Sequence, residues 1–536
     1  MGYKEYELIL PVQADESEET LRAAVTRKSK LGSFRYTVLK RSLDARRKSQ
    51  IEWRVRVGVV SPELSGGEEP QPVLLHPERR RREAPVVVVG TGPAGIFAAL
   101  YLLRAGYQVT LLERGDPVEK RRDAIQLFES GGEFSSHNNY SFGEGGAGTF
   151  SDGKLSSRTK NIRAERNFIF EALVEAGAPE EIRYMTHPHV GSDILFGVTQ
   201  RLRAMVEAEG GRVLFRQQAK DLSIQAGRVT GVEVLGHDGT RGGVLDAGRV
   251  VFACGHSAHE TYRMLLRRGV PFRVKNSAIG FRAEHPQELI NEAQWGQAQL
   301  PGVKAAEYRL TAQTSSGLGV YSFCMCPGGV VVPAAAYAGT NIVNGMSNYA
   351  RDGLFGNAAV VASLNLPQLL GRDVEAAEAL SWIMEREHLF YGVAAGYRAP
   401  AMSIQEFMAS SSSTSPRRGS FAHHVPAVPT TTYQSSYPLG VVETDLREAL
   451  PRPIITALQE GLVEFARKLN GYDKGLLLGL ESKSSAHIQV ERDPVQLYAG
   501  YPNFFVAGEG GGWSGGIVSS ASDGLRVAQA IVAADT

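Results

Sequence analysis

The sequence predicts an α/β fold whose parallel sheet is assembled from distant parts of the chain, and three observations carry that reading. A β-branched run, Val86 to Val89, leads into the glycine turn Gly90-Thr91-Gly92-Pro93-Ala94-Gly95 and then a helix. A second apolar strand, Phe504 to Ala507, leads into Gly508-Glu509, another glycine-rich turn and a helix from about Gly516. A third buried run, Arg249 to Cys254, ends at Gly255 and returns a strand to the same sheet.

Residues 1–75 read as a small N-terminal α/β domain. An apolar strand spans Tyr6 to Val12, a helix with an acidic start Glu16 to Thr26, and two further strands Arg35 to Arg41 and Gln50 to Val60. Between Arg27 and Arg56 eleven basic residues face only Asp44 and Glu52. A solvated basic face and a surface for an anionic partner such as RNA both fit that count. The unit lacks the interleaved aromatics that base stacking uses, which disfavours nucleic acid. Gly66 to Pro70 and Arg79 to Arg82 read as linker.

Residues 85–269 form the first part of a dinucleotide-binding domain. Gly90 permits the tight turn, Gly92 lets the backbone approach a pyrophosphate, and Gly95 lets the helix from Pro93 to Ala105 pack closely on its strand. Pro93 and Ala94 open that helix, whose N-terminus presents free N–H groups to phosphates. Gly106 ends it, Gln108 to Leu112 form the second strand, and Glu113 lies 18 residues beyond Gly95, the spacing of a carboxylate that holds ribose hydroxyls. Helices follow from Ile162 to Gly177 and from Asp193 to Gly210, with Ser192 or Asp193 as the cap of the second. Strands between Arg212 and Val234 precede a hairpin turn at Asp238-Gly239.

Residues 270–488 read as an inserted, mixed β-rich substrate domain, and residues 489–536 as the second part of the dinucleotide-binding domain. Ala409 to Ser420 is low in complexity. Glu509 is placed to meet a polar cofactor chain. The helix starting near Gly516 aims its N-terminus at a group that becomes negative on reduction, as a flavin does.

Taken together, these segments resemble the two-dinucleotide-binding-fold flavoproteins, in which an N-terminal G-x-G-x-x-G and a C-terminal Gly-Asp or Gly-Glu clamp one FAD. Phe142 to Gly148 with Ser151 to Leu155, Leu245 to Gly255, Asn344 to Ser347 and Gly508 to Gly516 are similar to a bacterial family of uncharacterised FAD-dependent dehydrogenases. The resemblance implies a glutathione-reductase-like FAD/NAD(P)-binding Rossmann-like domain, FAD as cofactor and a redox role. It assigns to the cofactor Gly90, Gly92, Pro93, Ala94, Gly95, Glu113 and Arg114 from the first turn. Gly146, Gly148, Asp152, Lys154 and Gly255 join them from the middle of the chain, with Gly508, Glu509, Gly515, Gly516 and Ile517 near its far end. Glu481 to His487 departs from the pattern, with Lys483 for an arginine and Ala486-His487 for Ser-Pro.

Composition narrows the class. The chain has 536 residues, 43% hydrophobic, and a net charge of +1, so nothing global speaks for nucleic acid. No apolar run reaches the ~20 residues of a membrane span, and the start lacks a secretory signal pattern. Three cysteines make no disulfide framework, so a reducing cytoplasm is expected. No metal site is expected, because Cys324 and Cys326 with His187 and His189 lack zinc-ligand spacing. The Cys324-Met325-Cys326 pair reads either as two small side chains on one strand face or as a redox pair.

For catalysis His189, His187 and Lys483 are the candidates, the histidines for proton transfer near a flavin. Tyr349, Arg351 and Arg398 join Lys483 as residues for an anionic substrate. No second unit of strand, G-x-G-x-x-G and helix follows Gly115, so a separate NAD(P)H-binding domain is not expected. Electrons therefore come from the small-molecule substrate, from a protein electron carrier, or from NAD(P)H bound transiently. The expected function is a cytoplasmic FAD-dependent oxidoreductase moving hydride between a small organic substrate and flavin N5. An RNA-associated flavoprotein and a flavin monooxygenase are the alternatives.

Overall fold

Val86–Val89 is apolar throughout because both faces of the sheet it centres are covered. Val86 and Val88 pack among helices that include Pro93–Arg104 and Ile517–Ala534, and Val87 and Val89 are on the opposite face, where the strands Gln217–Gln225 and Arg228–Gly236 lie. In the computed structural model, which describes residues 1–14, 17–236, 239–409, 421 and 433–535, this strand pairs in parallel with Val109–Leu112 on one side and Arg249–Phe252 on the other. Tyr501–Val506 adds in parallel beyond Arg249–Phe252, and Arg212–Leu214 beyond Val109–Leu112. A short antiparallel strand, Tyr498–Ala499, closes one edge of the six-stranded sheet. One sheet thus gathers strands from four separated stretches of sequence.

Helix Pro93–Arg104 lies against helix Ile517–Ala534 at a separation only small residues allow. A Cβ on Gly524 would stand 2.1 Å from the Ala94 carbonyl oxygen. A three-stranded meander, Gln217–Gln225, Arg228–Gly236 and Arg241–Asp246, branches off the sheet. The Asp238 end of its hairpin turn, like 410–420 of the low-complexity stretch, lies outside the described residues.

The second large layer is a seven-stranded sheet centred on Ser277–Pro286, which pairs antiparallel with both Phe355–Leu364 and Leu476–Glu481. Gly319–Cys326 and Thr311–Gln313 extend one side, Ala399–Ser403 and Val441–Glu443 the other. Amphipathic helix Arg452–Lys468 covers one face, burying Ile454, Leu458, Leu462 and Phe465.

At the N-terminus, Gly2–Pro11, Glu52–Ser61 and Arg35–Asp44 form an antiparallel sheet in which Glu52–Ser61 is central. Gly2–Pro11 and Arg35–Asp44 run longer than the sequence pattern predicts, because paired backbone continues past the apolar positions, whereas Glu52–Ser61 starts two residues later and ends one later than expected. Ser17 caps helix Glu18–Ser29 by accepting from the Thr20 N–H at 3.2 Å. The unit is docked by main chain: Arg41 N–H donates to the Tyr184 carbonyl at 2.8 Å, and Thr186 N–H to the Arg41 carbonyl at 2.9 Å. Its basic residues meet acids from beyond the window counted above. Arg35 pairs with Glu69, and Arg56 with Glu5 at 3.6 Å, while Arg41 stacks over Trp53 at 3.9 Å.

Candidate functional site

The glycine turn closes where the strand Val86–Val89 ends. Gly90 adopts φ 103°, and a Cβ on Gly95 would stand 1.9 Å from the Gly90 carbonyl oxygen, so helix and turn touch through backbone. Over Gly92 the space is open, a Cβ there meeting nothing closer than Gly146 Cα at 3.9 Å. That opening is what a pyrophosphate needs at the first turn of helix Pro93–Arg104, whose leading N–H groups have no intrahelical acceptor. Glu113 stands beside it, 5% exposed, accepting from Thr91 N–H at 3.2 Å, Thr91 Oγ1 at 2.6 Å and Gly115 N–H at 2.9 Å.

Segments far apart in sequence meet this turn. Gly146 abuts Gly92, Gly148 abuts Ile517, and Gly508 abuts Ala94. An apolar cavity lined by Thr91, Pro93, Ile96, Leu195, Val198 and Ile517 marks the convergence. Gly516 caps helix Ile517–Ala534 with open space above it, and Gly515 lies near the Glu509 carboxylate. Glu509 in turn lies 3.5 Å from His256 Nδ1, just after Gly255. Arg114 is engaged with protein, stacked 3.9 Å over Phe142 and bonded to Glu260 at 2.5 Å. These residues fit a flavin dinucleotide by the chemistry of their donors: bare backbone at the phosphates, an acid at the ribose position and a second helix N-terminus.

Sequence reasoning missed the residue that shapes the loop between these segments. Arg121, fully buried on helix Val118–Glu129, donates to the carbonyls of Asn139 (3.0 Å), Tyr140 (3.2 Å), Glu144 (2.7 Å) and Gly146 (2.8 Å). Burial lowers its pKa to about 10, which leaves it charged. Glu144, raised to about 7 by burial, accepts from Val118 N–H at 2.7 Å and from Arg203 at 3.2 Å. The signal in the sequence is an arginine on an otherwise unremarkable amphipathic helix, and nothing distinguishes it there.

Asp152 and Lys154 sit at the junction with the seven-stranded sheet. Both Asp152 oxygens are taken: Arg351 binds at 3.0 and 2.5 Å, Lys154 at 2.6 Å, and Ser347 donates as well. Burial would raise the Asp152 pKa, but Lys154 and Arg351 outweigh it and hold the carboxyl well below the carboxylate range. His189 bridges to Lys154 through main chain, stacks on Tyr349 at 5.5 Å, and bonds the Tyr349 carbonyl through Nε2 at 3.2 Å. A carbonyl only accepts, so Nε2 carries the proton and Nδ1 is an acceptor. Burial, then Arg351, lowers the His189 pKa to about 4.

The other candidates lie elsewhere. His187 is exposed. Lys483 is buried, 3.1 Å from both Glu387 Oε1 and His259 Nε2. Tyr349 donates to Glu181 at 2.7 Å, and Arg398 is half-buried, 3.4 Å from the Ala394 carbonyl. Neither Ser192 nor Asp193 caps helix Ser192–Ala208, whose cap is Gly191. Instead Ser192 donates to Asn348 Oδ1 at 3.1 Å and Asp193 accepts from Tyr349 N–H at 2.8 Å, tying the helix to the insertion.

Comparison with known proteins adds the following. A family described as FAD-dependent protein, C-terminal domain-like, matches residues 276–484, an FAD binding domain matches 83–124, and a domain of unknown function matches 3–60. An uncharacterized protein of Clostridium beijerinckii is 36% identical over 521 residues, covering 94% of this chain and 93% of the relative. Among solved structures, a geranylgeranyl bacteriochlorophyll reductase-like protein from Thermoplasma acidophilum is 13% identical with a TM-score of 0.36, over 84% of this chain and 78% of that one. The flavin-dependent brominase Bmp2 is 12% identical with a TM-score of 0.37, over 84% and 79%. Among the described residues no helix is long and apolar enough to cross a membrane.

Proposed function

The chain belongs to the bacterial family of FAD-dependent, two-dinucleotide-binding-fold flavoproteins that includes the Clostridium beijerinckii protein, and we propose that it acts there as a dehydrogenase or reductase on a small organic substrate. FAD is its cofactor and oxidoreduction its class of chemistry. When bound, FAD supplies a two-electron carrier that takes or gives hydride at N5. The observation that carries the reading is the convergence of Gly92, Gly146, Gly508 and Ile517 beside a junction locked by Asp152, Arg351 and Lys154.

In this reading the helix beginning at Pro93 holds the pyrophosphate, Glu113 the ribose, and the helix beginning at Ile517 offsets negative charge that develops on reduction. His189 is neutral at physiological pH and offers Nδ1 to a substrate hydroxyl or amine, orienting the bond that is broken. Lys483, committed to Glu387, and exposed His187 are left out of it. The electron partner is the substrate, a protein carrier or transiently bound NAD(P)H.

The test is an anaerobic visible spectrum of the purified protein before and after NADPH, then NADH, then candidate hydride donors. Loss of the oxidised flavin bands with one donor, and their return with an electron acceptor, is the expected result. Oxygen uptake coupled stoichiometrically to hydroxylation of the added substrate would overturn it in favour of a monooxygenase.

A further inference from the structure

The strand Gly319–Cys326 ends irregularly, and both of its cysteines lie in the irregular part. Its register against Phe355–Leu364 shifts between Phe323 and Cys326. Cys324 adopts φ 45°, a left-handed conformation that costs energy for any residue with a side chain. In an unbroken strand the Cα atoms of residues i and i+2 stand about 6.6 Å apart, at the upper edge of what a disulfide spans. Here the chain departs from that geometry. Cys326 Sγ lies 3.4 Å from the Cys324 carbonyl oxygen.

Two buried cations hold the kink. Arg282 donates through Nη2 to the Cys324 carbonyl at 2.9 Å and reaches Cys326 Sγ at 3.5 Å. Lys154 donates to the Met325 carbonyl while ion-paired with Asp152. Thus the groups that fix successive carbonyls also surround the sulfurs with positive charge, the environment that favours a thiolate. The two sulfurs are not equivalent. Cys324 is partly exposed, and the neighbouring Cys326 thiol, then Lys154 and Arg282, hold its thiol below the ordinary range. Cys326 is buried, and the neighbouring Cys324 thiol together with burial pushes its thiol up. Cys254 offers an internal contrast, its thiol donating to the Val89 carbonyl at 3.7 Å and pushed up by burial.

We propose that Cys324 and Cys326 form a reversible dithiol–disulfide site that reacts with small-molecule disulfides, Cys324 attacking and Cys326 resolving. The Cys324 thiolate attacks one sulfur of R–S–S–R, forming a mixed disulfide and releasing RS⁻, which takes a proton from solvent. Cys326 then loses its proton, its sulfur attacks the Cys324 sulfur, and a second RS⁻ leaves and is protonated. Two electrons pass from the protein dithiol to the disulfide, giving two RSH and a Cys324–Cys326 bond. Of the two cysteines Cys324 is the partly exposed one, which assigns it the encounter with the small-molecule disulfide. The site stands independently of the hydride-transfer reading.

The test uses the full-length, FAD-containing protein, reduced, desalted and exposed to glutathione disulfide, then acid-quenched, alkylated and mapped by peptide mass. The wild type is expected to lose the mass of two hydrogens in the peptide carrying Cys324 and Cys326. Cys326→Ser should retain one glutathione on Cys324, and Cys324→Ser should show neither product. At pH 6.5 iodoacetamide should alkylate Cys324 at least about ten-fold faster than free glutathione. Two free thiols persisting in the wild type, with flavin absorption intact, would overturn the proposal, and that measurement requires no variant to fold. Equal product from Cys324→Ser would overturn it as well.

Discussion

The flavin sheet and the seven-stranded sheet treat polar groups in opposite ways. In the first, the central strand is four valines, and polarity is confined to the carboxyl edge, in the backbone of Gly90 to Gly95 and the carboxylate of Glu113. In the second, charge lies inside: Arg282 is fully buried, 2.8 Å from Glu481 and 2.7 Å from Asn357. Burial raises Glu481 to about 7 even against that arginine. An edge that must admit a large anionic cofactor is left as open backbone. A sheet that must present a fixed face to it is fastened by buried pairs, which are costly to part once formed.

Arg282→Met leaves Glu481 buried without its cation. Denaturant unfolding should show a loss of about 3–5 kcal/mol, and the double variant with Glu481→Leu should recover more than half of it. Two alanines three residues apart in the glycine turn separate stability from cofactor binding. Gly95→Ala drives a methyl group into backbone and should cost about 1–3 kcal/mol of stability. Gly92→Ala has room within the protein and should unfold like the wild type, yet bind FAD about ten-fold more weakly.

The smallest effect concerns protons. His487 is buried with Nδ1 2.7 Å from Ser277 Oγ and Nε2 3.0 Å from the Ser482 carbonyl, and burial, then Lys483, lowers its pKa to about 3. Its folded value is below its unfolded one, so its contribution is complete above about pH 6.5 and is lost as pH falls. Glu144 and Glu481, both raised to about 7, act with the opposite sign over the same range. The quantity to read is therefore the stability difference between wild type and His487→Gln, which should shrink by about 1.0 kcal/mol between pH 6.5 and 5.5.

The glycine turn and Glu113 are legible in the sequence because strand, turn, helix and acid follow one another within one short stretch. The three N-terminal strands and the strand Arg249–Phe252 are legible as apolar runs, while the pairing of Glu52–Ser61 between the other two is set by the structure. Arg121 is not, since its acceptors are carbonyls whose positions depend on a loop fold. Asp152 with Arg351, and Arg282 with Glu481, lie about 200 residues apart in the chain, and only the topology reveals them as pairs. Counting charge along 27–56 likewise missed Glu5 and Glu69, which reach that surface from outside the window.

The close seat of helix Ile517–Ala534 on helix Pro93–Arg104 has a consequence for biosynthesis. On the ribosome the earlier helix waits, with its packing face bare, for a partner encoded roughly 400 residues later, an interval of roughly 20–80 s at ordinary elongation rates. Flavin capture is therefore a late event in the life of the nascent chain.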